Sequence, residues 1–274
     1  MTTTLRPTGP LQHRADGGRS RHFLICVNSR PVGEIELATH EVYGPKVARL
    51  RGLRVDEADR GRGRATVAAL AAEEVARGWG CHRIEASVQA TEAAALRLAT
   101  ALGWTERNRG MAKHLGIAAP AAPTGSVVRP MTAEEYGPWL AAGKEDYAQG
   151  WIGRGVPEAE ARAKSERDHA GLLPDGLGTP GTVVRVLHHE GSAVGTVWVA
   201  IRDEDAFVFD VKVDAAHRGH GHGRTLMRHA ETEATAAGRT VLGLNVFVGN
   251  TPALRLYESL GHEPVSHHLY KQLA

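Results

Sequence analysis

Polar and apolar positions alternate in β-branched runs at 182–188 and 193–200, split by the turn His189-Glu190-Gly191-Ser192, and again at 206–213. Alternation of this kind predicts three consecutive strands. A glycine-rich turn follows, then a helix over 225–237 stopped by Gly238, a strand at 240–247 and a helix over 252–260 ending at Gly261. Thr251 is placed as the N-cap of that last helix and Pro252 as its first residue, where a missing N–H costs nothing. The same order occurs earlier in the chain. Strands fall at 22–27, 32–39 and 49–55, followed by a glycine turn, a helix over 66–77, a strand at 83–88 and a helix over 91–102. A shift of 158 positions (218 − 60) brings Arg60 onto Arg218, Val55 onto Val213, Gly63 onto Gly221 and Gly103 onto Gly261. The same shift carries Ala95-Leu96-Arg97-Leu98 onto Ala253-Leu254-Arg255-Leu256. An ungapped internal match of this kind predicts two copies of one α/β unit.

The Pro/Ala/Gly stretch 116–125 has no periodicity and reads as a linker between a unit at 22–115 and one at 126–274. Residues 1–21 read as a disordered leader. The second copy opens with extra elements. They are a short strand near Val127-Val128, a helix begun by the capping-box pattern Thr132-Ala-Glu-Glu135, and a further helical stretch after Pro157. The first copy is therefore truncated where the second is elaborated.

Composition narrows the class. A 42% hydrophobic content supports a real core, and 33 Lys+Arg against 31 Asp+Glu leaves a net charge of +2. That balance is too mild to argue for nucleic acid or a membrane surface. No apolar run approaches the about 18 residues of a membrane span, and the N-terminus lacks the apolar core of a secretory signal. Cys26 and Cys81 read as idle thiols. The cytoplasm is the expected compartment.

The strongest chemical signal is His217-Arg218-Gly219-His220-Gly221-His222-Gly223-Arg224, set between an apolar strand and a helix. Glycines allow a tight turn and close approach of a ligand, and free N–H groups at a helix start suit a pyrophosphate. The bland reading is a plain strand-to-helix turn. Without Lys-Ser/Thr after the glycines it is not a Walker loop, and no suitably placed acidic residue marks a dinucleotide ribose site.

Arg218-x-x-Gly221-x-Gly223 after a strand, followed by Asn250-x-x-Ala253-x-x-x-Tyr257-x-x-x-Gly261, resembles the paired motifs of the GNAT superfamily of N-acetyltransferases. The resemblance covers 182–273. It implies a tandem α/β (α+β) protein, each unit a mixed, mostly antiparallel sheet flanked by helices, with the N-terminal unit truncated and degenerate. It also implies acetyl-CoA as co-substrate, no metal, and direct transfer to the primary amine of a small molecule or peptide. By the same resemblance Arg218, Gly219, His220, Gly221, His222, Gly223 and Arg224 hold the pyrophosphate. Val211, Lys212 and Val213 face the pantetheine and thioester, with the Val211 N–H as oxyanion donor. Asn250 and Ala253 touch the pantetheine arm, and Tyr257 protonates the departing thiolate.

An ordinary tyrosine pKa of about 10 suits that last role, whereas periodicity alone makes Tyr257 a core residue. Asp210 is the leading general-base candidate, because strand alternation turns it away from the face of Phe209 and Val211. A carboxylate paired with a neighbouring cation is its bland reading, and Glu204, Asp205 and Asn245 are weaker candidates. Trp139, Tyr147 and Trp151 fall in the elements expected to flank the acceptor. Core packing explains them equally. His220 and His222 could approach a metal, but no carboxylate or thiol completes a set. In the first copy Ala99 replaces Tyr257 and Glu92 replaces Asn250, so that unit reads as inactive. Two other readings stay open: a non-catalytic acyl-CoA-binding regulator, and an aminoacyl-tRNA-dependent transferase. Nucleic acid and membrane are not expected partners, and a homodimer is compatible with the sequence.

Overall fold

The computed structural model describes residues 2–41, 43–116 and 125–273. Most of the expected linker, 117–124, lies outside them. The chain forms two compact units, one from Met1–Arg109 with Val265–Ala274 and the other from Gly110–Pro264.

In the first unit β1 (Thr3–Pro7), β2 (Gln12–His13), β3 (Arg19–Val27), β4 (Arg30–His40) and β5 (Gly44–Val55) are followed by α1 (Arg64–Gly78), β6 (Arg83–Gln89) and α2 (Ala93–Ala101), and β7 (Thr105–His114) begins in this unit and ends in the second. β3, β4 and β5 pair antiparallel, and β6 runs parallel to β5. The core joins Ile25, Ile35, Leu37 and Ile84 of the sheet to Ala68, Ala72 and Ala76 of α1. The expected leader corrects to structure: β1 lies antiparallel on β3, with Thr3 opposite Val27 and Pro7 opposite Phe23. It satisfies the edge of β3 and packs Leu5 on the core. A single apolar residue among Thr, Arg and Pro left no alternation to read.

The second unit contains β8 (Ser126–Pro130), α3 (Ala133–Ile152), α4 (Glu158–Leu172), β9 (Thr182–His189), β10 (Ser192–Ile201), β11 (Ala206–Val213), α5 (His222–Ala236), β12 (Val241–Phe247) and α6 (Thr251–Ser259). β8 to β11 are antiparallel, and β12 is parallel to β11. One face packs Val197, Val199 and Val208 against Leu226 and Met227 of α5. The other packs Val184, Val186 and Trp198 against Tyr136 and Trp139 of α3. The capping box at the start of α3 is formed by Thr132 and Glu135, at 3.3 and 2.9 Å. Among the described residues, the first unit has no α-helix before α1.

Each unit is completed by the last strand of the other sequence repeat. β13 (Glu263–Gln272) pairs antiparallel with β6 from Ser266–Gln89 to Gln272–Arg83. The end of β7 neighbours β12. Two matching ion pairs fasten these strands. Lys271 Nζ meets Glu73 of α1 at 2.8 Å, and Lys113 Nζ meets Glu231 of α5 at 2.6 Å. Both carboxylates are buried, so each depends on its lysine for compensation. Unit boundaries at 115 and 126, expected from the linker, are therefore not where the compact units divide.

Candidate active site

β11 carries the site. It pairs with parallel β12 only from Ala206 to Val208, opposite Leu242 to Leu244, and then parts from it. Among the described residues, the backbone of Phe209 to Val213 has no β12 partner on that side, while its other side stays paired to β10. The register to β10 slips there as well: Val199 faces Val208, but Trp198 faces Asp210, so Phe209 is an extra, bulged residue. The bulge corrects the alternation read from sequence. Val208 and Val211 both reach the α5 side, whereas Phe209 joins Trp198 on the α3 side. Cross-strand partners share a face, so Asp210 sits with Trp198 and Phe209 rather than opposite Phe209.

After β11 the chain makes a short turn and enters the glycine loop. Gly219 and Gly221 both have φ of +83°, and a Cβ at either would meet nothing within 4 Å. The loop needs glycine for its backbone shape, and the space beside it is open to a ligand. α5 begins at His222, three residues earlier than the pattern predicted, with Gly221 as N-cap. A glycine cap supplies no side-chain acceptor, which leaves the first N–H groups of α5 to an anion. Arg218 Nε donates to the Val213 carbonyl at 3.2 Å, and Arg224 donates to Ser259 Oγ at 2.7 Å. These contacts tie the loop to β11 and to α6.

α6 corrects one expected detail. Its N-cap is Asn250, not Thr251, and Asn250 Oδ1 accepts from the Ala253 N–H at 3.3 Å. Tyr257, six residues into the helix from Thr251, is 7% exposed and packs with Ala253 and Leu260. Burial, and then the charge of Asp210, push its pKa up to about 12. Asp210 in turn is pushed up to about 6, chiefly by burial. Lys212 and the Val211 N–H oppose that shift, and Asp146 adds to it. The two groups cast as base and acid are therefore within electrostatic reach of each other, at the parted end of β11.

Lys212 forms an ion pair with Asp146 of α3, which the sequence reading did not anticipate. Glu204 and Asp205 lie in the turn before β11, at the other end of the strand from the loop, and Asp205 pairs with Arg202 at 3.8 Å. Asn245 is an exposed residue of β12.

The three flanking aromatics come together on the Asp210 face. Trp139 meets Trp198 edge-on at 5.7 Å, Tyr147 meets Trp151 at 6.1 Å, and Trp151 meets Phe247 at 5.4 Å. Tyr147 Oη donates to Asp168 at 2.6 Å. Trp198, Phe209 and Phe247 extend this wall. Sequence reasoning passed over them because they lie inside strands, where aromatic residues are ordinary. A groove of 390 Å³ between α3 and α4, lined by Leu140, Ala148 and Arg162 among others, includes none of these site residues. Among the described residues no cluster of His, Cys, Asp or Glu is arranged to hold a metal ion, and no helix is long and apolar enough to cross a membrane.

A parted parallel strand pair beside a side-chain-free helix cap is architecture suited to an extended thioester with a diphosphate tail, and it defines an acyl-transfer class of protein. The sequence pattern of the Acetyltransferase (GNAT) family matches residues 3–104 and 146–262. The chain therefore belongs to that family of N-acetyltransferases, whose members use acetyl-CoA, and carries its fold in tandem. It is 29% identical over 154 residues to the uncharacterized N-acetyltransferase YycN of Bacillus subtilis, covering 54% of this chain and 98% of that protein. Its fold is similar to a GCN5-related N-acetyltransferase from Sphaerobacter thermophilus, with TM-score 0.60, 19% identity and coverage of 92% and 80%. It is also similar to a tandem GNAT protein from the clavulanic acid biosynthesis pathway, with TM-score 0.53, 18% identity and coverage of 96% and 85%.

Proposed function

We propose that the second unit transfers an acetyl group from acetyl-CoA directly to a primary amine of a small molecule or peptide. The observation that carries this reading is the parting of β11 from β12 beside the glycine loop that opens α5. Acetyl-CoA supplies an activated thioester carbonyl and a thiolate leaving group. The residues around it have separate tasks. The loop Arg218 to Arg224 and the first turn of α5 hold the diphosphate, while Val211, Lys212 and Val213 offer backbone groups to the pantetheine and the thioester. In this reading the Val211 N–H, which also acts on Asp210, is the oxyanion donor to the thioester carbonyl. Asp210, ionised above pH 6, accepts the proton that the neutral amine nitrogen loses as it forms the C–N bond. Tyr257, protonated throughout the neutral range, gives its proton to the sulfur as the C–S bond breaks. Asn250 and Ala253 border the pantetheine arm, and the aromatic wall with Trp139, Tyr147 and Trp151 borders the acceptor.

The first unit is read as non-catalytic. Gly52 and Ala99 stand where the second unit has Asp210 and Tyr257. The test is release of free CoA thiol from acetyl-CoA against a panel of primary amines and short peptides, with acetylated product identified by mass spectrometry. Amine-dependent thiol release that collapses in Tyr257→Phe and Asp210→Asn is expected. Turnover unaffected by both substitutions would refute the assignment.

A further inference from the structure

Four imidazoles gather where α5 begins. His222, first residue of the helix, is only 6% exposed. Its ring centroid lies 4.8 Å from that of His189, 6.1 Å from that of His220 and 6.4 Å from that of His217. These side chains come from the end of β9, the turn after β11, the glycine loop and the helix start. Ser126 Oγ lies 3.0 Å from His189 Nδ1. His220 Nδ1 lies 3.4 Å from the His217 carbonyl. Among the described residues, no hydrogen bond reaches the buried ring of His222. Burial and then the three neighbouring imidazoles hold its pKa below the ordinary value, and no carboxylate offsets them. The other charged groups nearby in sequence are Arg218 and Arg224, anchored on Val213 and Ser259, the exposed Asp214 three residues before His217, and the exposed Glu190 after His189.

The first unit answers the same place differently. Asp59, Arg62 and Arg64 stand 158 positions before His217, His220 and His222. Arg64 and Arg30 both pair with Asp59, at 3.2 and 2.9 Å. That loop carries permanent charges, with Asp59 shared between Arg30 and Arg64. The second unit has groups that become charged only by taking a proton, and among the described residues no carboxylate offsets His222.

The geometry points to proton-linked recognition of the acyl-CoA diphosphate: His189, His217, His220 and His222 take up a proton from solvent as the diphosphate seats at the start of α5. This rests on the reading that the glycine loop holds CoA. Imidazoles packed this closely oppose one another's charge, and a nearby dianion favours the imidazolium form. For each proton taken up, affinity changes about tenfold per pH unit, rising as pH falls.

The experiment is titration calorimetry of the full chain in two buffers of different ionisation heat, at about pH 7, which yields the number of protons exchanged. The probe is 3′-dephospho-acetyl-CoA, because the 3′-phosphate of the parent has its own second pKa of about 6. Uptake of a substantial fraction of a proton is expected, reduced in His189→Gln and His222→Gln. The exposed His220→Gln tests the same effect without disturbing a buried side chain. Binding with no proton exchange, or uptake unchanged in all three variants, would overturn the inference. So would tight stoichiometric Zn²⁺ capture by these histidines, lost in the same variants. If neither acetyl-CoA nor its dephospho form binds the native chain, the loop assignment itself fails, and this inference with it.

Discussion

Asp210→Asn separates catalysis from stability, because the two should move in opposite directions. Burial raises the Asp210 pKa from 3.8 to about 6. A carboxyl whose folded pKa lies above its unfolded value is best accommodated as the acid. Its stability contribution is complete below the unfolded value and is lost as pH rises through about 6. The full shift corresponds to about 3 kcal/mol at pH 8. Asp210 keeps some contact with solvent, and screening discounts the figure to about 1–2 kcal/mol. Asparagine keeps the shape without the charge, so the variant should be more stable by that amount at pH 8, with the difference closing toward pH 4. Urea unfolding at several pH values measures this. The same substitution removes the proposed base and should lower kcat/KM by about 10²-fold or more. In the native enzyme at saturating acetyl-CoA, kcat/KM for the amine should fall as pH drops through about 6, the direction set by the need for an ionised base. A variant that is both as active and no more stable than the native chain would refute the reasoning on both counts.

Tyr257→Phe should cut kcat by about 10²-fold while leaving acetyl-CoA affinity close to native, measured by steady-state kinetics beside a binding titration. Gly221→Ala, at φ +83°, should cost about 1–2 kcal/mol and raise the KM for acetyl-CoA, checked by thermal melts and kinetics. Lys113→Ala strands the buried Glu231 carboxylate and should cost about 3 kcal/mol in urea unfolding. Adding Glu231→Gln should recover part of the loss. A fragment starting at Ser126 lacks the β7 neighbour of β12 and should be less soluble than one starting at Gly110, which a simple expression trial decides.

The repeat, the glycine loop and the capping box were legible because each is written in residue types that local physics requires. Left-handed φ at Gly61, Gly63, Gly219 and Gly221 leaves glycine at the same spacing in both copies. The strand exchange was not legible. β7 and β13 read TERNRGMAKH and EPVSHHLYKQ, with little alternation and few β-branched residues. Their only trace was that Lys113 and Glu73 match Lys271 and Glu231 at the repeat offset, and nothing local marks those residues as partners. The bulge escaped for a different reason. A single extra residue changes which face Phe209 joins without changing composition. At α6, Asn250 and Thr251 are both good caps, and only the backbone conformation decides between them.

The most direct test of the central claim is calorimetric titration of the full chain with acetyl-CoA, repeated on Gly219→Asp and on the matching Gly61→Asp. Aspartate tolerates the left-handed region better than most residues, so each variant places a negative charge in one loop with little backbone strain. Binding at a single site, lost in Gly219→Asp and kept in Gly61→Asp, is the expected result. Binding that survives Gly219→Asp, or that disappears in Gly61→Asp instead, would contradict the assignment of the second unit as the seat of acetyl transfer.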